Sequence, residues 1–193
     1  MFLYLEGERP KFFGPENPVP TDWDSLYPLI STFEPQTQND IELAFQISQA
    51  AHRDQTRASG EPFFTHPLRA TYYLLMAGCV HRHHIVACLL HDVPEDTTYL
   101  STVGADYYQK GTYLRFDDGE IDPIERLSSL FGRHTANLVG AINKPKGIED
   151  KQLLAYRYRQ QMLRGPSDVG IVKMPDTLDN LLTLGFLPPK KKA

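Results

Sequence analysis

The chain predicts an all-α helical bundle. Apolar residues recur at helical spacing in successive segments, capping residues and Pro or Gly boundaries bracket those segments, and strand signals are confined to one short stretch. At 193 residues the length suits one domain that can bury a core. A composition of 41% hydrophobic and 23% charged residues is ordinary globular usage and excludes a disordered or fibrous chain.

Residues 1–36 carry Pro10, Pro15, Pro18, Pro20 and Pro35 among several aromatics, which predicts an irregular N-terminal arm around one short helix at 23–31. Ile41, Ala44, Ile47 and Ala51 fall on one helical face, so an amphipathic helix is expected over 38–52. A loop through Ser59, Gly60 and Pro62 follows. Thr65 as N-cap, Pro67 in the first turn and Gly78 past the end predict a helix over 66–77, with His66 at its start. RHHIVACLLHD (82–92) reads as an apolar helix whose C-terminal end carries His91 and Asp92, with Pro94 stopping it just beyond. Asp122 and Pro123 open a helix that Gly132 closes; helices over 133–143 and 150–164 come next, and Ser167 caps a last one reaching Leu184. The one candidate β-ribbon is 112–116 with Glu120 and Ile121, around the turn-like Asp117, Asp118 and Gly119. This divides the chain into an arm (1–36), a helical domain (37–187) and a basic tail (188–193) containing Lys190, Lys191 and Lys192.

A formal net charge of −4 supplies no field that would draw the protein onto a polyphosphate backbone, so no nucleic-acid partner is expected. A small phosphorylated substrate needs only a few local cations and remains open. Cys79 and Cys88 fit no metal or redox spacing and are expected to be buried free thiols. There is no signal-peptide pattern and no run approaching the roughly 20 apolar residues of a membrane span, so a soluble, cytoplasmic protein with no membrane partner is expected.

The chemically informative residues are polar groups at the edges of apolar helices: His66, His91 with Asp92, Glu95 with Asp96, and Asp176 with Asn180. Each alone is ordinary, since a single His at a helix start is usually a cap and an HD dipeptide occurs by chance. Together they supply two imidazoles and several carboxylates, a set too costly to bury without a cation. Mixed His and Asp ligation with no thiolate suits a hard to borderline ion such as Mn²⁺ or Fe²⁺ rather than structural zinc. Asn180 lies four residues after Asp176 and shares its helical face.

Four segments carry a resemblance to a known family: AHRDQTRASGEPFFTHP (51–67), LLHDVPEDT (89–97), LFGRHTANLVGAINK (130–144) and VKMPDTLDNLLTL (172–184). In this order they resemble the HD-domain hydrolase of the RelA/SpoT alarmone enzymes, most closely the small alarmone hydrolases, over about 41–184. The resemblance implies that His66, His91, Asp92 and Asp176 bind one divalent ion, usually Mn²⁺, and that Glu95 and Asp96 orient and activate the attacking water. It implies that Arg57 lies against the nucleotide and Asn180 against its sugar and phosphates. Ser59 and Lys173 join the substrate-binding set on their own chemistry, and Arg53 could hold a further phosphate or be plain solvated surface charge. The implied reaction removes the 3′-pyrophosphate of (p)ppGpp, giving GDP or GTP and pyrophosphate.

Departures qualify the substrate. Ala58 stands where the family has a lysine, which leaves (p)ppApp open beside (p)ppGpp. Pro175, Thr177 and Asp179 replace the family's alanine, arginine and histidine, and Pro175 removes a helical hydrogen bond to the Ile171 carbonyl, predicting a kink before Asp176. The chain between Thr97 and Leu130 is longer than is usual in the family and could serve as a lid, an oligomer contact or a plain surface loop. His52, His81, His83 and His84 miss the family's ligand positions and are expected in structural or solvent roles, the last two on the polar face of their helix. No nucleotidyl-transferring segment follows Leu184, so a hydrolase without a synthetase domain is expected, with a homo-oligomer and functional pairing with an alarmone synthetase as candidate associations. The alternatives are another HD-type nucleotide phosphohydrolase and an HD binding module or antitoxin restraining a synthetase.

Overall fold

The computed structural model describes residues 20–101 and 121–186, and the backbone of Tyr107–Gln109 and Thr112–Leu114. The arm before residue 20, the expected turn at 117–119 and the terminal lysines lie outside the described residues. The described residues form an all-α bundle: α1 (Trp23–Ile30), α2 (Pro35–Ala51), α3 (Thr65–Met76), α4 (Arg82–Leu90), α5 (Val93–Asp96), α6 (Pro123–Phe131), α7 (Arg133–Ile142), α8 (Lys151–Arg164) and α9 (Val169–Leu182), then a 3-10 turn at Leu184–Phe186.

Helix α4 is the axis of the fold because its sequence is apolar on every side. Ile85, Val86, Ala87, Cys88, Leu89 and Leu90 are all at most 1% exposed, and α2, α3, α7 and α9 pack around them. Each large side chain so buried contributes about 1.5–3 kcal/mol. The expectation that His83 and His84 face solvent is corrected for His84, which is buried, because α4 has no exposed face there to offer. Cys88 is buried and Cys79 half-buried, both as free thiols.

Most helix boundaries follow their caps. The Asp122 carboxylate accepts from the backbone N–H of Ile124 and Glu125, Pro123 occupies the first turn, and Gly132 closes α6 at φ 88°. Asp150 caps α8 in the same way through Gln152 and Leu153. Three expectations are corrected. Thr65 is the first residue of α3 rather than its cap, and its hydroxyl donates to the Pro62 carbonyl. Helix α9 begins after Asp168, not Ser167, and ends at Leu182. Pro94 does not terminate α4, which stops at Leu90; it sits in the first turn of α5, where its missing N–H costs nothing. The ribbon pairs backward in sequence: Thr112–Leu114 lies antiparallel to Tyr107–Gln109, with Tyr108 opposite Tyr113.

Helix α8 has no buried residue and is held on α7 by polar contacts. The Tyr158 hydroxyl donates to the Ile142 carbonyl and the Gln161 amide to the carbonyls of Gly140, Ala141 and Asn143. These are the end-of-helix acceptors that α7 cannot satisfy itself. Gly165 permits the approach, since a Cβ there would lie 2.6 Å from the Ala141 Cβ. Gly165→Ala is therefore expected to destabilise the protein by about 1–3 kcal/mol, read as a lower urea midpoint.

Candidate functional site

Three separate elements deliver the expected ligands to one place. His66 enters from the first turn of α3, His91 and Asp92 from the turn between α4 and α5, and Asp176 from the middle of α9. Ligand atoms of His66, His91 and Asp176 lie within 4.8 Å of one another. Asp176 Oδ1 is 3.1 Å from His66 Nε2 and 3.4 Å from His91 Nε2. The Asp92 carboxylate reaches the same two nitrogens, at 3.5 Å from His66 and 3.2 Å from His91.

The tautomers follow from the other ring nitrogens. His91 Nδ1 donates to the Cys88 carbonyl at 2.8 Å, so Nε2 carries the lone pair when the ring is neutral. That Nε2 is buried and has no hydrogen-bond partner among the described residues, although two carboxylates face it. A buried lone pair aimed between two carboxylates is repulsive unless a cation or proton lies there. Burial opposes a charge on His91, but Asp92 and Asp176 outweigh it and push its pKa up to about 9. Burial would likewise raise the Asp176 carboxyl, yet the hydrogen bond from His66, the facing His91 charge and the Lys173 ammonium hold it far below the usual carboxylate range. This donor set fits a divalent ion.

His66 is oriented by a residue that sequence reasoning passed over. Its Nδ1 lies 2.7 Å from Asp179 Oδ2, which turns Nε2 toward the cluster. Asp179 is fully buried, and Arg69 Nε and Nη2 donate to its two oxygens at 2.7 and 3.1 Å. Arg69 also forms a two-pronged pair with Glu61 at 2.7 and 2.8 Å. Burial alone would raise the Asp179 carboxyl, but His66 and Arg69 hold it below its ordinary value. The available signal was the three-residue spacing of Asp176 and Asp179, matched by that of His66 and Arg69, which puts each pair on one helical face.

The cluster floors a cavity of about 540 Å³ that Arg57, Ser59, Glu95, Asp96, Lys173 and Asn180 also line. Lys144, again unassigned from sequence, donates from Nζ to Glu95 Oε1 at 2.7 Å and from its backbone N–H to Oε2 at 3.2 Å. The Asp96 carboxyl is raised by burial and by the neighbouring Asp92 and Glu95 charges. Asn180 Nδ2 donates to Asp176 Oδ1 at 2.7 Å, and Arg57 Nη2 donates to Asn180 Oδ1 at 3.0 Å and Thr183 Oγ1 at 3.2 Å. Arg57 rests over the Phe63 ring at 5.6 Å. A tight turn closed by Arg57 N–H to the Glu61 carbonyl carries it. Lys173 Nζ is 2.5 Å from Asp176 Oδ2. Arg53 is absent from the lining; its side chain is 78% exposed and pairs with Asp54. His52 is fully buried, stacked on Phe63 and bonded through Nδ1 to Gln55, a structural position.

No protein-family model matches the chain. It is similar, at 30% identity over 176 residues, to the bifunctional (p)ppGpp synthase/hydrolase SpoT of Escherichia coli K12, covering 88% of this chain and 22% of that protein. It is 31% identical over 171 residues to the guanosine-3′,5′-bis(diphosphate) 3′-pyrophosphohydrolase of Aquifex aeolicus, covering 88% and 21%. Over 194 residues it is 29% identical to the putative GTP diphosphokinase RSH1, chloroplastic, of Oryza sativa subsp. japonica, covering 100% and 20%. The chain thus spans about a fifth of the length of these relatives. With helices that bring an HD pair beside a second histidine and a distant aspartate, the chain is similar over 88% of its length to one segment of these RelA/SpoT-type relatives.

Proposed function

We propose that the chain is a metal-dependent 3′-pyrophosphohydrolase of (p)ppGpp-type alarmone nucleotides, releasing GDP or GTP and pyrophosphate, with residues 37–187 as its HD phosphohydrolase unit. The observation that carries this reading is the partnerless, buried His91 Nε2 facing Asp92 and Asp176 beside His66, at the floor of a cavity with cationic side chains on its walls. His66, His91, Asp92 and Asp176 would hold one divalent ion, Mn²⁺ being the expected species and Fe²⁺ the next, because nitrogen and carboxylate donors without thiolate suit them. Such an ion supplies Lewis acidity, lowering the pKa of water it binds and neutralising charge on phosphoryl oxygens.

The chain's own residues do the rest. Asp96, whose pKa is raised, is a stronger base than an ordinary carboxylate and would accept the proton of the attacking water. Glu95, gripped at both oxygens by Lys144, would orient that water. Arg57, already fixed by Asn180, Thr183 and Phe63, would meet the nucleotide with little ordering cost. Ser59 and Asn180 would add hydrogen bonds, and Lys173 would balance charge on the departing pyrophosphate. Met174, Leu178 and Leu181 form an exposed apolar row on α9, which supports a homo-oligomer. A cytoplasmic location and functional opposition to an alarmone synthetase follow if the substrate is a cytosolic alarmone. No helix among the described residues is long and apolar enough to cross a membrane.

The test is incubation of the purified protein and Mn²⁺ with ppGpp, ppApp and 5′-phosphorylated nucleotides. Release of pyrophosphate from a 3′-substituted nucleotide is expected, and the ratio of the two alarmones reports what Ala58 does to base choice. Release of orthophosphate alone would reject the reading.

A further inference from the structure

A second set of ligand-type side chains gathers at the N-terminal ends of α4 and α9. His83 and His84 lie in the first turn of α4, His134 in the first turn of α7, and Asp168 at the cap position of α9. Asp168 Oδ2 is 2.7 Å from His84 Nε2, 2.9 Å from His134 Nε2 and 3.7 Å from His83 Nε2. All four ligand atoms lie within 4.8 Å of one another. We infer that His83, His84, His134 and Asp168 form a second, structural metal site for a Zn²⁺-class ion, which ties α4, α7 and α9 together away from the phosphohydrolase cavity.

The geometry suits that ion. Zinc–nitrogen bonds of about 2.0–2.1 Å place tetrahedral donors roughly 3.3 Å apart, and the observed spacings of 2.7 to 3.7 Å from Asp168 bracket this distance. Three imidazoles with one carboxylate make a closed four-ligand set of borderline character. The rings are crowded for a purely hydrogen-bonded cap, with centroids of His83 4.2 Å from His84 and 4.5 Å from His134. His134 and Asp168 also line a groove of about 1460 Å³ between α7 and α8, through which an ion can arrive.

This site is distinct from the first. His83 and His91 are eight positions apart along α4, about 12 Å at 1.5 Å per residue, and Asp168 and Asp176 are eight positions apart along α9.

The experiment compares chelator-stripped wild-type, His134→Gln, Asp176→Asn and double-variant proteins by Zn²⁺ titration calorimetry and metal analysis after gel filtration. Because the His134 side chain is 48% exposed, its replacement should leave the fold intact, checked by circular dichroism in chelator. Asp176→Asn is expected to retain one tight Zn²⁺ that raises its Tm and gives a tetrahedral Co²⁺ spectrum. The added His134→Gln should weaken that ion by at least on the order of 100-fold, since losing even an outer-shell partner costs about 10–100-fold. Equal Zn²⁺ stoichiometry and affinity with and without His134 in either background would overturn the site. So would an Asp176→Asn protein that is folded and binds no Zn²⁺. Neither readout involves nucleotide turnover, so its failure is separate from failure of the proposed reaction.

Discussion

Asp176→Asn is expected to lower Mn²⁺ affinity by at least on the order of 100-fold, because it removes a direct donor where loss of an outer-shell partner already costs about 10–100-fold. Pyrophosphate release should fall at least in parallel. The carboxamide keeps the shape, and Asn180 can still donate to the remaining oxygen, as it does to Asp176 Oδ1 at 2.7 Å. What changes is charge: Lys173 loses the carboxylate now 2.5 Å away, and His91 loses one of the two acids that raise its pKa. Calorimetric Mn²⁺ titration above and below pH 9 checks both parts, since metal must displace the His91 proton and binding in the native protein should tighten as pH rises toward about 9. Unchanged affinity in the variant would remove Asp176 from the ligand set.

Asp179→Ala is expected to cost about 3–5 kcal/mol of stability, the range for breaking a buried ion pair by removing one partner. The fully buried carboxylate serves two groups at once, His66 Nδ1 and the Arg69 guanidinium, and its loss leaves both without that acceptor. The stability it contributes has a defined pH range. Its folded pKa is below the ordinary carboxylate value, so the contribution is complete above about pH 4 and is lost as pH falls through the depressed folded value. Urea unfolding at pH 7 and at pH 3 measures both quantities. Arg69→Ala with Asp179→Ala should cost less than the two single changes summed, because the second truncation no longer strands a charge. Asp179→His, which installs the residue found at this position in the resembled family, should not restore stability. An imidazole has a single acceptor nitrogen and cannot serve both donors.

The fold was legible where one segment carried its own instructions. The run from Ile85 to Leu90 is apolar on all sides, which identified a central helix and therefore placed His91 at the end of a buried element. Asp122, Asp150 and Gly132 fixed boundaries through local capping. Where two local solutions competed, the sequence was ambiguous: Thr65 and Phe64, Ser167 and Asp168, and the partner of Thr112–Leu114 were decided by packing and pairing outside the segment. The convergence of His66, His91 and Asp176 was expected from their chemistry. The residues behind them were not, because Asp179, Arg69 and Lys144 act on the site through His66, Asp179 and Glu95, which lie 113, 110 and 49 positions away in sequence. His84 was misjudged as a surface residue because a histidine in an apolar helix signals solvent unless a carboxylate is known to face it, and Asp168 lies 84 positions downstream.

Helices α4 and α9 touch through side chains at two separated places, with His84 against Asp168 at their N-terminal ends and His91, just past the end of α4, near Asp176 halfway along α9. Two rods joined at a single point can still pivot about it, whereas two joined at separated points cannot. A slide by one helical turn, about 5.4 Å, would also have to break both junctions together. The fold therefore clamps these rods in angle as well as in spacing, and the cavity, whose floor holds one of the two junctions, shares that rigidity.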